Sequence, residues 1–274
     1  MTPHRIRTPA VAGTFYPARP GELGQMVDDL LAGAHVPDRA PAPAALVVPH
    51  AGYVYSGPIA ATAYARLLGT AASISRVVAF GPVHYVPVRG AAVPAASAWA
   101  TPLGEVAIDD AMRDRAVAHG ARVDDRPHAP EHSLEVQLPF LQKVLPPGFG
   151  FLPVAVSEQS ATDTADLIDA FFGETGTMVV VSTDLSHYHG VETARRLDRK
   201  TAQAVVARNA AALGEGDACG IFALRGLVEL ARRKDLPVEL LDLRTSADTA
   251  GDPQRVVGYG AFAVGRKREE IRIA

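Results

Sequence analysis

Histidines follow three apolar stretches of the chain, and a histidine can bind a metal ion or transfer a proton near neutral pH. His50 ends "LVVPH", His84 follows "VVAFGPV", and His187 follows "VVVSTDLS". One such histidine is more often a structural residue, but three in the same position indicate a shared site. If the strands are parallel, all three histidines lie at the carboxyl edge of the sheet, where open α/β sheets bind ligands. We expect His50 and His84, on neighbouring strands about 4.8 Å apart, to reach one metal ion.

The only cysteine, Cys219, lies in "GEGDACGIFALRGLVEL", which has a helical pattern. With Asp217 as the N-cap, Cys219 would fall in the first helical turn. The positive end of a helix favours the thiolate, which is the form of cysteine that binds metals. The alternative is a small buried apolar residue, the usual role of a free cysteine. Position alone does not separate these two interpretations.

Other side chains suited to proton transfer or substrate binding lie in the same segments. Asp184 precedes His187 in "STDLSHYHG", a carboxylate–imidazole pair suited to proton transfer or to orienting a ligand. His132, in "HAPEHSLEVQ", is a candidate acid/base or supporting group, and a capping role at a helix start is an equal alternative. Tyr53 and Tyr55, in the loop predicted after the first of the three stretches, are candidates for substrate contact or for simple packing.

Strand-length apolar runs alternate with helical patterns along most of the chain. The predicted strands cover 44–49, 76–81, 149–156, 177–182, 238–245 and 256–265. The predicted helices are one after Pro20 and others over 59–68, 134–145, 160–173, 193–213 and 218–233. This alternation predicts an α/β fold, a three-layer sandwich with a mostly parallel central sheet. Segment 86–110 is predicted to be an inserted antiparallel hairpin, and one domain is expected to span residues 1–274.

Composition argues against several classes of protein. The chain has 274 residues and a net charge of −3, which gives no general attraction for nucleic acid. No apolar run approaches the roughly 20 residues of a membrane-spanning helix. The N-terminal segment lacks the apolar core of a secretory signal, and one cysteine cannot form an intrachain disulfide. We therefore expect a cytoplasmic protein that binds neither nucleic acid nor membrane.

Eight stretches, in chain order, resemble the Memo-like family, whose bacterial and archaeal members are often described as protein B of the AmmeMemoRadiSam system. They are "VAGTFYP", "PHAGYVYSG", "GPVHY", "TPLGEV", "EHSLEVQLPFL", "STDLSHY", "DACG" and "YGAFA". The resemblance covers nearly the whole chain. It implies a fold similar to that of the class III extradiol dioxygenases of the LigB type, an α/β sandwich with a site at the strand ends.

The resemblance also implies a ligand set. The family's metal-binding residues fall on His50, His84 and Cys219, and Asp184 and His187 would line the same pocket, with His132 nearby. Iron is the first expected metal, with copper or zinc as alternatives. LigB-type enzymes bind Fe(II) through two histidines and a carboxylate. A cysteine as third ligand departs from that pattern and is a softer ligand that favours Cu(I) or iron.

Three functions are consistent with this pattern. The first is a metal-dependent oxidoreductase, similar to an extradiol dioxygenase, that acts on a small molecule, with aromatic molecules among the options. The second is a binding module for a peptide or for a protein partner of the AmmeMemoRadiSam system, with a structural metal or none. The third, ranked lower, is a hydrolase that uses zinc-bound water.

Overall fold

The apolar runs form the centre of a nine-stranded sheet in the computed structural model, which describes residues 5–37 and 40–265. The strands are β1 (Ile6–Arg7), β2 (Ala45–Val48), β3 (Arg76–Gly81), β4 (Gly90–Val93), β5 (Ala98–Thr101), β6 (Gly104–Ala107), β7 (Arg122–Val123), β8 (Gly150–Ser157), β9 (Thr177–Ser182), β10 (His187–His189), β11 (Val238–Thr245) and β12 (Val256–Val264). The strand order is β10-β12-β2-β9-β3-β8-β4-β7, and β11 also pairs with β12.

The four central strands, β2, β9, β3 and β8, are parallel, as predicted. Antiparallel pairs with β12 on one side and β4 on the other make the whole sheet mixed. The central strands are almost entirely buried, which explains why they appear in the sequence as continuous apolar runs rather than as alternating patterns.

Helices flank the sheet and complete the predicted α/β sandwich. They are α1 (Pro20–Ala32), α2 (Tyr53–Tyr64), α3 (Asp110–Ala118), α4 (Leu138–Val144), α5 (Ala161–Asp169), α6 (Val191–Val206) and α7 (Ile221–Lys234). Helices α1, α2 and α4 pack together, with α2 on β2 and β12, while α5 and α7 pack together, with α7 on β8 and β9. None of the helices in the described part of the chain has the length and apolar character needed to cross a bilayer.

The predicted insertion is partly a hairpin. Strands β5 and β6 pair antiparallel and, with β1, form a separate three-stranded sheet. Strand β4, which belongs to the same predicted segment, instead joins the main sheet beside β8. The predicted single domain of 1–274 includes termini and residues 38 and 39, which lie outside the described residues.

The prediction that β2 and β3 are neighbours is wrong. Strand β9 lies between them and pairs with both, although it comes about a hundred residues later in the chain. A helix between two parallel strands fixes the handedness of their connection but leaves room for a third strand between them. The carboxyl end of β9 therefore lies between the segments that carry His50 and His84.

Candidate functional site

Three side chains from distant parts of the chain bring metal-binding atoms together at the carboxyl edge of the sheet. The ligand atoms of His50, His84 and Cys219 all lie within 4.8 Å of one another. The Sγ of Cys219 is 3.1 Å from Nε2 of His50, and the rings of His50 and His84 stand edge to face with centroids 5.3 Å apart. The structure thus assembles the three residues that the sequence suggested as ligands.

The hydrogen bonds around His50 fix its tautomer. The Oγ of Ser182 donates to the carbonyl of Ser133 at 2.7 Å and accepts from Nε2 of Gln137 at 3.0 Å. Because its single proton is used, Ser182 Oγ must also accept from Nδ1 of His50, which is 2.8 Å away. Nε2 of His50 is therefore unprotonated and faces Cys219. Burial lowers the pKa of His50, and the neighbouring histidines lower it further, which favours the neutral, metal-binding form.

Gln137 and Tyr64 hold Ser182 in this orientation. The hydroxyl of Tyr64 donates to Oε1 of Gln137 at 2.9 Å, so the amide nitrogen of Gln137 must point toward Ser182 and the Pro49 carbonyl. All three polar side chains are buried. The sequence gives no sign of this chain of contacts, because Ser182 is the polar end of an apolar run and Gln137 is a polar residue within a helical pattern.

Glu131 plays the corresponding part for His84. Its Oε2 accepts from the backbone N–H of His84 at 2.6 Å, and its Oε1 lies 2.9 Å from Nδ1 of the same residue. Burial alone would raise the pKa of Glu131, but the hydrogen bonds from His84 and from the backbone of Ser133 lower it to about 2. The ionised carboxylate accepts the Nδ1 proton and leaves Nε2 of His84 available, a common arrangement beside bound metals.

Cys219 lies before α7 rather than in its first turn, so the predicted position is wrong by one turn. The N-cap of α7 is Gly220, and the carboxylate of Asp217 accepts instead from the backbone N–H of Gly214. A Cβ on Gly220 would lie 2.6 Å from the Ser182 carbonyl oxygen. Only glycine therefore allows the segment to pack this closely against β9.

Some groups around Cys219 favour its neutral thiol and others favour the thiolate. Burial raises the pKa of Cys219, and the charge of Asp184 adds to this effect. In the opposite sense, the backbone N–H of Asp184 donates to Sγ at 3.3 Å. Without a cation the neutral thiol is favoured, and a bound metal ion would be needed to bring out the thiolate.

Asp184 and His187 do not form the hydrogen-bonded pair that the sequence suggested. The Asp184 carboxylate accepts from the backbone N–H of His50 at 2.7 Å, and Nδ1 of His187 bonds to the carbonyl of Leu185 at 2.8 Å. Because a carbonyl can only accept, Nδ1 of His187 carries the proton and Nε2 is left with a lone pair. Burial raises the pKa of Asp184 to about 7, against the lowering effect of the backbone N–H groups.

His132 lies beside His84, and their rings are stacked with centroids 4.7 Å apart. Its Nδ1 is 3.5 Å from the hydroxyl of Tyr85 and 3.4 Å from Oε1 of Glu131. Burial lowers the pKa of His132 to about 4, so the ring is neutral at pH 7. His84, Glu131 and His132 also form a second group whose ligand atoms lie within 4.8 Å of one another.

The two tyrosines proposed for substrate contact lie in the first turn of α2 rather than in a loop, and only one of them faces the cavity. Residues two apart on a helix point in different directions. Tyr53 is buried and donates its hydroxyl to the Val136 carbonyl at 2.5 Å. Tyr55 is exposed and lines the cavity beside the histidines. The substrate role suggested for Tyr53 does not fit this position, whereas Tyr55 can contact a ligand.

The cavity in front of the histidines has a volume of about 570 Å³, a size typical of small-molecule sites. It is lined by Thr14, Phe15, His50, Ala51, Gly52, Tyr55, His84, Tyr85, His132, Asp184, His187, Tyr188, Ser246, Gly251, Asp252, Arg255, Val257 and Tyr259. The cavity therefore brings a ligand within reach of each predicted site histidine.

Residues 7–263 match the family model described as "Memo-like protein". The chain is 35% identical to the MEMO1 family protein MK0963 of Methanopyrus kandleri, over 95% of this chain and 99% of that protein. It is 36% identical to a MEMO1 family protein of Aquifex aeolicus, over 93% and 97% of the two chains. The fold is also similar to that of the uncharacterized protein JW3007 from Escherichia coli K12, with a TM-score of 0.51, 14% identity, and coverage of 79% of this chain and 98% of that one.

Proposed function

This chain belongs to the Memo-like protein family, and we propose that it holds one transition-metal ion with His50, His84 and Cys219 and acts on a small molecule in the adjoining cavity. The observation that carries the proposal is the convergence of three ligand atoms within 4.8 Å. Two of them are imidazole nitrogens whose rings are oriented by contacts of Nδ1 with Ser182 and Glu131. This arrangement fits a metal ion because both ring orientations are fixed by polar partners on the side away from the site.

We propose iron as the resident metal, with copper or zinc as alternatives, because two imidazoles and a soft thiolate are acceptable ligands to all three. Bound iron or copper would supply redox chemistry toward oxygen and an electron-rich substrate, whereas zinc would supply a Lewis acid. We therefore place the protein among metal-dependent oxidoreductases similar to extradiol dioxygenases.

His187 and His132 are proposed to transfer protons, and Asp184 is proposed to position a ligand. His187 presents a neutral Nε2, so it is the proposed base that takes a proton from a substrate hydroxyl group. His132, also neutral, is the proposed second proton carrier, since it lines the same cavity. Asp184 is a positioning residue, because its carboxylate holds the backbone of His50.

Metal content tests the proposal. Untagged protein is purified anaerobically and analysed by mass spectrometry, beside His50→Ala, His84→Ala and Cys219→Ala. His119→Ala is the matched control, since His119 is exposed and its Nδ1 bonds to the carbonyl of Arg115 in α3. We expect near-stoichiometric metal in the wild type and the control, and its loss in the three ligand variants with an unchanged circular dichroism spectrum. Full metal in His50→Ala and His84→Ala would contradict the assignment.

A second candidate function is a binding module for a peptide or for a protein partner of the AmmeMemoRadiSam system. The observation that favours it is the open cavity rim, where Tyr85 and Tyr188 are 56% and 63% exposed. Wild-type protein that is free of metal and fails to bind added Fe(II), Cu(I) or Zn(II) would favour this module over the oxidoreductase.

A further inference from the structure

Tyr188 has an unusual backbone conformation at the edge of the cavity. Its φ is +62°, in the left-handed region that bulky residues seldom adopt, and its side chain is 63% exposed. Such a conformation is unfavourable for a bulky side chain and is found more often at functional sites. It follows directly after His187, and the two rings meet edge to face at 5.6 Å. The register of β10 against β12 shifts between His187 and His189, so Tyr188 is the extra residue of a β-bulge, and its ring lies at the cavity.

Arg255 completes this feature from the neighbouring strand. Its guanidinium carbon lies 4.5 Å from the centroid of the Tyr188 ring. Tyr188 belongs to β10, and Arg255 comes directly before β12, the antiparallel partner of β10. Both side chains line the cavity. Because stacking uses only the face of the guanidinium group, its N–H edges remain available to an acceptor.

The guanidinium group of Arg255 forms no ion pair within the described part of the chain. Arg255 is the only arginine or lysine among the described residues that line the cavity. Two carboxylates line the same cavity. That of Asp184 is buried and accepts from the backbone of His50, and that of Asp252 accepts from the backbone of Gln254 at 2.9 Å. Arg255 is therefore a permanent cation in this cavity whose guanidinium group forms no ion pair with any described residue.

Aromatic rings form much of the rest of the rim. Phe15, Tyr55 and Tyr85 line the cavity together with Tyr188, and all three of these tyrosines are at least 39% exposed. Rings arranged around one opening favour a flat apolar ligand, since aromatic pairs gain energy beyond their buried area.

We propose that Arg255 and Tyr188 form the recognition subsite for an oxyanion on an aromatic ligand, so that the substrate class is small aromatic acids. This inference rests on the proposed function, in which the cavity binds the substrate. A carboxylate matches the planar fork of Arg255 in two hydrogen bonds, while the ring of the ligand lies among the tyrosines. The oxyanion would then anchor the ligand at the rim, with its ring directed toward the histidines.

The test compares probes that differ in one property. Benzoate, its neutral isostere benzamide, phenyl phosphate and acetate are titrated into metal-free protein and followed by NMR. We expect benzoate or phenyl phosphate to bind about tenfold more tightly than benzamide, since one charge-assisted pair is worth about that factor. Whichever of the two binds more tightly identifies the preferred oxyanion. Acetate, which has the charge without the ring, is expected to bind more weakly than benzoate.

Arg255→Gln is the variant and Arg89→Gln the control, because Arg89 is exposed and paired with Glu158 outside the cavity. We expect Arg255→Gln to bind benzoate and benzamide equally and Arg89→Gln to keep the preference. A wild type without preference for either oxyanion, or a preference that survives in Arg255→Gln, would overturn the inference.

Measuring metal content in the same preparations separates this inference from the function on which it rests. Because the titrations use metal-free protein, a wild type that never acquires metal refutes the metal site and still gives a readable result for Arg255. If the wild type is found to hold its metal but binds benzoate and phenyl phosphate no more tightly than benzamide, the Arg255 subsite is refuted and the metal site is not. We expect Arg255→Gln to retain wild-type metal content, since no hydrogen bond or ion pair found among the described residues joins Arg255 to a proposed ligand.

Discussion

Glu131 binds His84 at two points, through the backbone N–H at 2.6 Å and the ring Nδ1 at 2.9 Å. One buried carboxylate therefore sets both the path of the loop after β3 and the tautomer of the ring. His84 is the most open of the three proposed ligands, with 28% of its side chain exposed, so its orientation depends strongly on this contact.

Replacing Glu131 by glutamine should weaken metal binding without removing it. The amide is neutral and can hydrogen-bond to Nδ1 of His84 only weakly, and losses of such supporting groups typically cost about 10–100-fold in metal affinity. The measurement is a competition titration with a metal chelator. Glu229→Gln is the control, since Glu229 pairs with arginines on α7. Equal affinity in the two variants would show that Glu131 does not orient the ligand.

Ser182→Ala should affect both stability and metal binding. The substitution removes the acceptor of His50 Nδ1 and of Gln137 Nε2 in a buried setting. Leaving a buried donor without a partner costs about 1–3 kcal/mol. We expect a lower free energy of unfolding by urea in the metal-free protein and a weaker metal affinity. Unchanged values for both would mean that His50 is held by packing alone.

Arg7 and Glu135 form a buried ion pair that joins β1 to the segment before α4. The atoms Nη1 and Oε2 are 2.6 Å apart, with side chains 7% and 0% exposed. Removing one partner of a buried pair costs about 3–5 kcal/mol, so Arg7→Ala should destabilise the protein by that amount in urea. Arg5→Ala is the matched control, because the Arg5 side chain is 60% exposed in its pair with Asp125. This substitution should lower the free energy of unfolding by less than about 1 kcal/mol.

His128 should make the protein less stable in mild acid. Burial lowers its pKa from 6.5 to about 4. Between these two values the unfolded chain binds a proton that the folded chain excludes, so stability falls as the pH falls through this window. The free energy of unfolding should drop by about 2 kcal/mol more in wild type than in His128→Gln between pH 7 and pH 5.

His119→Gln, at an exposed position, is the control for that measurement and should keep the wild-type pH dependence. If the free energy of unfolding falls equally in His128→Gln and wild type between pH 7 and pH 5, His128 is not the group whose protonation destabilises the protein.

The fold was largely predictable because its central strands are short, apolar and separated by helical patterns. The bounds of β11 match the predicted 238–245, and Ser160, the first residue of the predicted helix 160–173, caps α5. The order of the strands was not predictable from local patterns. The insertion of β9 between β2 and β3 depends on contacts between residues far apart in the chain, which no short stretch encodes.

The candidate site was likewise predictable only in part, because some of its contacts join residues far apart in the chain. The three proposed ligands were identifiable by type and by resemblance, whereas the groups that orient them were not. Ser182 and Gln137 acquire their roles only when β9 and the start of α4 meet, and Tyr53 faces the core because α2 begins earlier than its pattern suggested. Which side of a helix faces a sheet depends on the whole packing arrangement.

The position of β9 has a consequence for the order of events during synthesis. His50 and Cys219 are 169 residues apart, and the strand between the two histidines comes late in the chain. A nascent chain that ends before Cys219 lacks one donor, and one that ends before β9 lacks the Ser182 hydroxyl that orients His50. The complete donor set therefore exists only after most of the protein has been translated, so a metal ion held by it would be acquired at the end of folding rather than serve as its nucleus.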